Sequence, residues 1–320
     1  MEARHVVVTG GAGFIGTNLC TRLLQHGDRV TVIDNLAAGR APGLQDMLHA
    51  YGTTSLTFLE ADVTDRIHLG EQPVDAVVHL ATLVGPEIVI REPITTLRVA
   101  INGTLNALEI AHRHNARFVL VSSSEVYGDP LVHPQAESYY GNVDPTGPLS
   151  GYDEGKRAAE ACTAAYRREH DLNAAIVRPF NIYGPGMHMS DRRVVPAFIS
   201  TALEGGTLAL HGDGSQTRAL CYVDDFVDGL LAVMNSVEFG PFNIGNPGEI
   251  TMRELAEMVV AEVGRGSVVT TPGRVQDAAR RCPDITRASE VLGWSPRTRL
   301  PDGIARTVAW YRRSTPTPAR

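Results

Sequence analysis

Lysine is nearly missing from this 320-residue chain: of 29 basic residues, Lys156 is the only lysine and the rest are arginine. A position that keeps lysine where every other basic site has arginine is a candidate for chemistry that a planar guanidinium cannot supply. Cysteine is also scarce. Cys20, Cys162, Cys221 and Cys282 are far apart and form no C-x-x-C pair. That excludes a disulfide framework and a thiolate zinc site, and it predicts reduced thiols in a cytoplasmic protein. No apolar run approaches the roughly 18 residues of a membrane span. A strand-like run starting at His5 leaves no room for a secretory leader. Positive charge is not in excess: the net charge of −7 gives no general attraction to nucleic acid or an acidic membrane surface. An anionic ligand must therefore be held by local arginines. The 11 histidines show no metal-ligand spacing, and His79 reads as a core residue, so no metal is expected.

Short β-branched runs alternate with longer helical patterns through the first half. Strands are expected at His5–Thr9, Arg29–Asp34, Thr57–Glu60, Ala76–Leu80, Phe118–Ser122 and Ala174–Arg178. Helices are expected at Phe14–His26, Ile94–His114 and Asp153–His170. This alternation predicts an α/β fold: a Rossmann-type, doubly wound parallel sheet with right-handed crossovers. The fully apolar Val6-Val7-Val8 suits a sheet covered on both faces. After Arg178, prolines and glycines break the pattern, which predicts a smaller C-terminal substrate-binding lobe. The expected division is residues 1–178 and 219–244 for the dinucleotide domain, 179–218 and 245–313 for the second lobe, and a disordered tail at 314–320. Leu220–Asn235 reads as a return to the sheet with a strand and a helix. Glu249–Val263 and Ile285–Leu292 read as helices of the small lobe, and Pro301–Arg313 as a terminal helix.

Gly10-Gly11-Ala12-Gly13-Phe14-Ile15-Gly16 follows the first strand and opens a helix. Gly10 permits the tight turn, Gly13 lets a pyrophosphate approach the backbone, and Gly16 allows close packing of helix on strand. The phosphates would sit on the N–H groups of the helix start, including those of Phe14 and Ile15. Asp34 ends the second strand 18 residues past Gly16, with Asn35 beside it. A carboxylate there accepts hydrogen bonds from ribose hydroxyls and repels a 2′-phosphate, so NAD is expected over NADP. Arg40 keeps NADP open as a lesser alternative. Asp62 and Val63 follow the third strand, where an adenine edge could be read. Leu80, Ala81, Asn102, Ser122 and Arg178 complete the residues expected around the cofactor.

Tyr152 and Lys156 stand at the start of a helix with Y-x-x-x-K spacing, on one helix face. An ammonium near a phenol lowers its pKa and makes the phenolate available as a base. The lone lysine lies here, where it could also hold the nicotinamide ribose. Ser122, Ser123, Ser124 and Glu125 follow a parallel strand at its carboxyl end, which faces the ligand crevice. Ser123 could bond a substrate hydroxyl, and Glu125 could act as a carboxylate acid or base.

Together with Arg178-Pro179-Phe180-Asn181-Ile182-Tyr183-Gly184-Pro185, these motifs resemble the extended short-chain dehydrogenase/reductase superfamily. Within it, Ser124-Glu125-Val126-Tyr127-Gly128-Asp129-Pro130, His133-Pro134-Gln135, Tyr152-Asp153-Glu154-Gly155-Lys156-Arg157, Met187-His188-Met189 and Gly214-Ser215-Gln216-Thr217-Arg218 resemble the UDP-glucuronate decarboxylases, or UDP-xylose synthases. The resemblance runs from about Arg4 to Arg313. It implies an NAD-dependent enzyme acting on a UDP-sugar. Tyr152 would take the 4-hydroxyl proton with Lys156 beside it. The resulting 4-keto uronic acid would lose carbon dioxide, and reduction would give UDP-xylose. It further implies that Arg281 lies near the substrate carboxylate and that Ser123 takes a position usually held by threonine. Glu125 matches the family glutamate. Gln216 and Arg218 would lie near the nucleoside diphosphate, joined by Asn181 and Arg193. Val195, Ser124 and His211 would also line the substrate, with His211 where the family often has an aromatic. By the same resemblance, the helices at 94–114 and 153–170 are expected to form a homodimeric four-helix interface.

Three rivals remain. A nucleotide-sugar 4,6-dehydratase would carry an acidic residue where Ser124 stands. A 4-epimerase would usually lack the glutamate at Glu125. A cofactor-binding sensor without chemistry would be expected to have lost the Tyr152/Lys156 pair. One departure from the decarboxylase pattern is Thr82-Leu83-Val84-Gly85-Pro86-Glu87-Ile88-Val89, which replaces the usual Ser-Pro-Pro-Asn-Tyr-like run after the fourth strand.

Overall fold

A computed structural model describes residues 3–37, 39, 43–272 and 280–314. Arg40 lies outside the described residues, as does the expected tail beyond Ser314. Strand β1 (His5–Thr9), helix α1 (Phe14–Gln25), β2 (Arg29–Asp34), α2 (Gly43–Ser55) and β3 (Leu56–Glu60) form the first half-unit. After β4 (Ala76–His79) come α3 (Pro86–Arg91) and α4 (Pro93–Arg98). A wide π turn at Val99–Gly103 joins α4 to α5 (Thr104–Arg113), so the helix expected at Ile94–His114 is one rod in three pieces. Gly103 is required at the junction: a Cβ there would sit 2.8 Å from the Val63 side chain. Next come β5 (Arg117–Val121), α6 (Ser150–His170) and β6 (Ala174–Pro179).

The second half contains β7 (Ile182–Tyr183), α7 (Val194–Leu203), β8 (Thr207–His211), β9 (Thr217–Ala219), β10 (Cys221–Tyr222) and α8 (Val223–Met234). It ends with β11 (Phe242–Ile244), β12 (Glu249–Thr251), α9 (Met252–Val263), β13 (Ser267–Thr271), α10 (Thr286–Leu292) and α11 (Leu300–Ser314). Seven strands make one parallel sheet in the order β11-β6-β5-β4-β1-β2-β3. The three valines of β1 show why it is buried on both faces. Val6 and Val8 pack with Leu19 and Leu23 of α1 and Phe226 and Leu230 of α8. Val7 packs on the other face with Leu108 of α5, Phe118 of β5 and Ala159 of α6. The direction of winding reverses between β1 and β4, which opens a crevice at the carboxyl ends of those strands.

A second core joins Val195, Phe198 and Ile199 of α7 to Leu255 and Val259 of α9 and Ile304, Val308 and Tyr311 of α11. Three expectations change. β10 does not return to the main sheet; it pairs with β7, and β11 is the strand added at the edge, with Asn243 opposite Arg178. Glu249–Val263 is not all helix. Its first three residues form β12, because Thr251 accepts from Glu254 N–H while the Glu254 carboxylate receives Thr251 N–H, and this capping box sets the helix start. α10 packs on α8 and β11 rather than on the helices of the small lobe, and its Ala288 is buried in the core of the main sheet.

Candidate active site

The turn after β1 is built by contact with its neighbours. A Cβ on Gly10 would lie 2.7 Å from the Ala81 nitrogen, and one on Gly16 would lie 2.3 Å from the Gly10 carbonyl oxygen. Gly10 also needs its φ of 71°. Helix α1 therefore starts tight against the crevice, with the first-turn N–H groups of Phe14, Ile15 and Gly16 lacking intrahelical acceptors. Asp34 closes the far side. Its carboxylate accepts Ala12 N–H at 3.0 Å and Leu36 N–H at 2.8 Å. Burial pushes its pKa up and those two bonds oppose the rise. Asn35 is exposed and donates at 2.8 Å to Asp62, which also accepts from Thr64. Burial would raise the Asp62 carboxyl, but these hydrogen bonds prevail and hold it below the usual range. Helix-start donors facing a paired carboxylate fit an adenine dinucleotide. Val63 is a core contact beneath this site. Leu80 and Ala81 follow the fourth strand half-buried, and Asn102 is exposed on the π turn.

Tyr152 and Lys156 both fall in the first turns of α6, with the Lys156 ammonium 5.9 Å from the Tyr152 ring centre. Lys156 is 4% exposed and donates to the Val121 carbonyl at 3.0 Å. Burial lowers its pKa to about 8, and Glu160 opposes that fall. Burial raises the Tyr152 phenol; a hydrogen bond with the Ser123 hydroxyl and the Arg193 charge pull it back. His79 lies behind the pair, bonded through Nδ1 to Thr9 Oγ1 at 2.7 Å and held neutral by burial, which lowers its pKa to about 3.

β5 delivers the next residues. Ser123, Ser124 and Glu125 enter a tight turn at its end, where Ser123 Oγ accepts Glu125 N–H at 3.1 Å. Arg281 comes from 156 positions further along the chain and pairs with the Glu125 carboxylate. It also donates to the Gly128 carbonyl at 3.1 Å. Among the described residues, its Nε is a buried donor with no partner. Burial lowers this arginine to about 10, so it stays cationic at neutral pH.

The fold thus gathers Tyr152, Lys156, Ser123, Glu125 and Arg281, with Arg193 acting on Tyr152 through its charge. Arg193 is held bidentate by Asp191 at 2.6 and 3.0 Å. Gln216 donates to the His211 carbonyl at 3.0 Å, and His211 Nδ1 meets Thr271 Oγ1 at 3.3 Å. Arg218 sits on β9 and donates to the Thr217 carbonyl at 2.7 Å. Asn181 adopts a left-handed φ of 43° and holds the 219–221 segment through both its side chain and its carbonyl.

Three side chains lie elsewhere than expected. The Val195 side chain is buried in the small-lobe core because α7 turns that apolar face inward. Ser122 and Arg178 were expected at the cofactor, but their side chains converge on Glu160. Arg178 also donates to Tyr127 Oη at 2.9 Å, and Tyr127 donates to Asn243 at 2.8 Å. The sequence reading missed Glu160, although Glu four residues after Lys156 was a visible signal. It also missed a cluster of His133, Glu249 and Cys282, whose ligand-type atoms lie within 4.8 Å of one another. Glu249 is already neutralised by Arg280 at 2.8 Å and bonded by Thr217, so the cluster reads as an ion-pair network.

Residues 6–245 match the NAD dependent epimerase/dehydratase family. The chain is 44% identical over 309 residues to UDP-glucuronic acid decarboxylase 4 of Arabidopsis thaliana, covering 96% of this chain and 68% of that one. Among solved structures it is similar to a UDP-glucose 4-epimerase with UDP-glucose from Thermotoga maritima, with TM-score 0.87, 29% identity and coverage of 97% and 99%. It is also similar to MoeE5 in complex with UDP-glucuronic acid and NAD, with TM-score 0.80, 28% identity and coverage of 97% and 100%.

Proposed function

The chain belongs to the NAD dependent epimerase/dehydratase family, and we propose that within it this protein decarboxylates UDP-glucuronic acid to UDP-xylose. The observation that carries the reading is Arg281 paired with Glu125 beside Ser123, Tyr152 and Lys156, with a buried Nε–H that has no partner among the described residues. A cation with a spare donor at the catalytic turn suits a sugar that bears a carboxylate. The UDP-glucose bound by the similar 4-epimerase brings no such charge. The dehydratase reading also lacks its acid, since Ser124 occupies that position.

The glycine turn and Asp34 would hold NAD, whose chemistry is to take and return the hydride at the sugar C4. Tyr152 Oη accepts the 4-hydroxyl proton, and Lys156 stabilises the phenolate by its charge. Ser123 donates to or accepts from the same hydroxyl and keeps the phenol oriented. Once C4 is a ketone, the uronate is a β-keto acid: the C5–carboxyl bond breaks, carbon dioxide leaves, and the electron pair rests on the C4 oxygen as an enolate. Protonation at C5 follows, and the Arg281–Glu125 pair beside Ser123 supports a role for these two residues in that step. Arg193, Arg218 and Gln216 are the groups offered to the diphosphate.

A homodimer through α4 to α6 is consistent with the exposure of Ile90, Ile94 and Leu105 on α3, α4 and α5. A cytoplasmic setting fits four cysteines that are all free. Among the described residues, no helix is long and apolar enough to cross a membrane. The test is incubation with UDP-glucuronic acid and NAD, followed by carbon dioxide. Release is expected from the native chain. Arg281→Ala should lose roughly ten- to a hundredfold in kcat, the value of charged hydrogen bonds, while affinity for UDP is kept. Absence of carbon dioxide alongside a 4-epimeric UDP-hexuronic acid would install the epimerase reading instead.

A further inference from the structure

Glu160 has no role in the reaction described above, yet it lies one helical turn after Lys156 and on the same face of α6. Its carboxylate is well partnered. Oε1 accepts from Ser122 Oγ at 2.7 Å and Arg178 Nε at 2.8 Å, and Oε2 accepts from Arg178 Nη2 at 2.6 Å. Three consecutive residues at the end of β5 are thereby tied to α6. The Val121 carbonyl takes the Lys156 ammonium, the Ser122 hydroxyl donates to Glu160, and the Ser123 hydroxyl bonds Tyr152. The middle tie holds the register of the other two.

We propose that Glu160 is a positioning residue for proton transfer at Tyr152: through Ser122 it locks the end of β5 to the catalytic helix, and its charge is the buried counter-ion shared by Lys156 and Arg178. This rests on reading Tyr152 and Lys156 as the proton-transfer pair. The other groups facing Lys156 do not replace Glu160. His79 on β4 is neutral, Glu125 is engaged by Arg281, and Glu154 pairs with Arg157. Asp153 on α6 has its carboxyl pushed up to about 7 by burial. On the packed helices, Arg98 is exposed and Glu109 pairs with Arg113 at 2.8 Å. Without the Glu160 charge, a buried ammonium and a buried guanidinium would face one another's fields in a poorly screened site.

The sole lysine makes the test direct. Side-chain-labelled lysine gives one NMR signal in the full chain, and that signal reports Lys156. In Glu160→Gln, which keeps the shape and an acceptor for Ser122, the lysine midpoint should fall by about one pH unit, a tenfold change in its protonation constant. The alkaline limb of kcat should move down with it, while KM for UDP-glucuronic acid changes little. Glu160→Asp restores the charge and should return the midpoint towards the native value, with kcat still lowered by the displaced Ser122. An unchanged midpoint in Glu160→Gln overturns the proposal, even if kcat falls, because the residue would then act only as a packing tie. If Glu160→Gln does not fold, a shifted midpoint with native kcat in Glu160→Asp overturns it equally. The lysine signal does not depend on substrate. A native chain that titrates as described but releases no carbon dioxide would count against the substrate and leave the Glu160 assignment standing.

Discussion

Tyr152 is buried enough that its phenol resists ionisation, so its use as a base depends on the Ser123 hydroxyl and on nearby positive charge. Tyr152→Phe removes the group proposed to take the 4-hydroxyl proton. Its kcat should fall roughly 10²–10⁴-fold, the usual worth of general acid–base catalysis, with NAD binding retained by calorimetry. Lys156→Arg keeps the charge but should be similarly impaired, because a planar fork does not fit the 3.0 Å bond to the Val121 carbonyl in a buried site. Near-native turnover in that variant would make the lone lysine an accident of composition. Asp153, next to Tyr152, has its carboxyl pushed up to about 7 by burial, with Glu154 adding to the rise. The folded state therefore holds a proton that the unfolded chain releases near the ordinary carboxyl value of 3.8. Stability falls as pH rises between those two values, and the loss is complete above the higher one. Asp153→Asn should raise the thermal midpoint most at pH 8 and not at pH 3.5. An equal gain at both would place its cause outside titration.

The element that departs most from the decarboxylase pattern is the segment between β4 and α3. Residues 82–85 have no regular structure, Val84 is largely exposed, and Gly85 stands at φ 101° with open space where a side chain would be. This segment follows the strand end that borders the glycine turn, and it is expected to cover the nicotinamide and the sugar. Closure decides whether an intermediate is retained or escapes. A covering segment with few polar groups should let part of the ketopentose leave before reduction. Product analysis by NMR should then find UDP-xylose together with a minor UDP-4-ketopentose, and bound or free NADH in matching amount. UDP-xylose as the sole nucleotide sugar, with no NADH accumulating, would show that this segment retains the intermediate fully. The π turn at Val99–Gly103 belongs to the same scale: it sets α5 against Val63 and His79, close to the floor of the cofactor site.

At the scale of the whole molecule, two cores cover the two faces of one sheet and a third builds the smaller lobe. The candidate catalytic residues lie at the carboxyl end of β5 and on α6. Ile90, Ile94 and Leu105 remain outside all three, at 51%, 71% and 36% exposure. An apolar strip on helices that already flank α6 is suited to a second copy of the chain. Ile94→Glu would put a charge into that interface. Light scattering should show the mass falling from twice that of the chain to that of the chain, with the far-ultraviolet spectrum preserved. A native chain that is already monomeric would remove the dimer from consideration.

Much of this was legible locally. Alternating apolar runs specified the parallel sheet because strand and helix periodicities are properties of short segments. The glycine turn, Asp34 and the Tyr152/Lys156 spacing were readable for the same reason, since each is a contiguous or one-turn pattern. Three-residue strands such as β11 and β12 escaped, being too short to show a period. Side-chain partnerships across the fold escaped too. Nothing near Arg178 in the chain says that its guanidinium turns to Glu160 instead of the cofactor, and nothing near Val195 says that it faces the small-lobe core. The pairing of Arg281 with Glu125 spans 156 positions and exists only because the small lobe returns the chain to the end of β5. A sequence determines which backbone shapes are locally cheap. Which charges meet inside is decided by packing, because a buried ion is stable only where the completed fold brings it a partner.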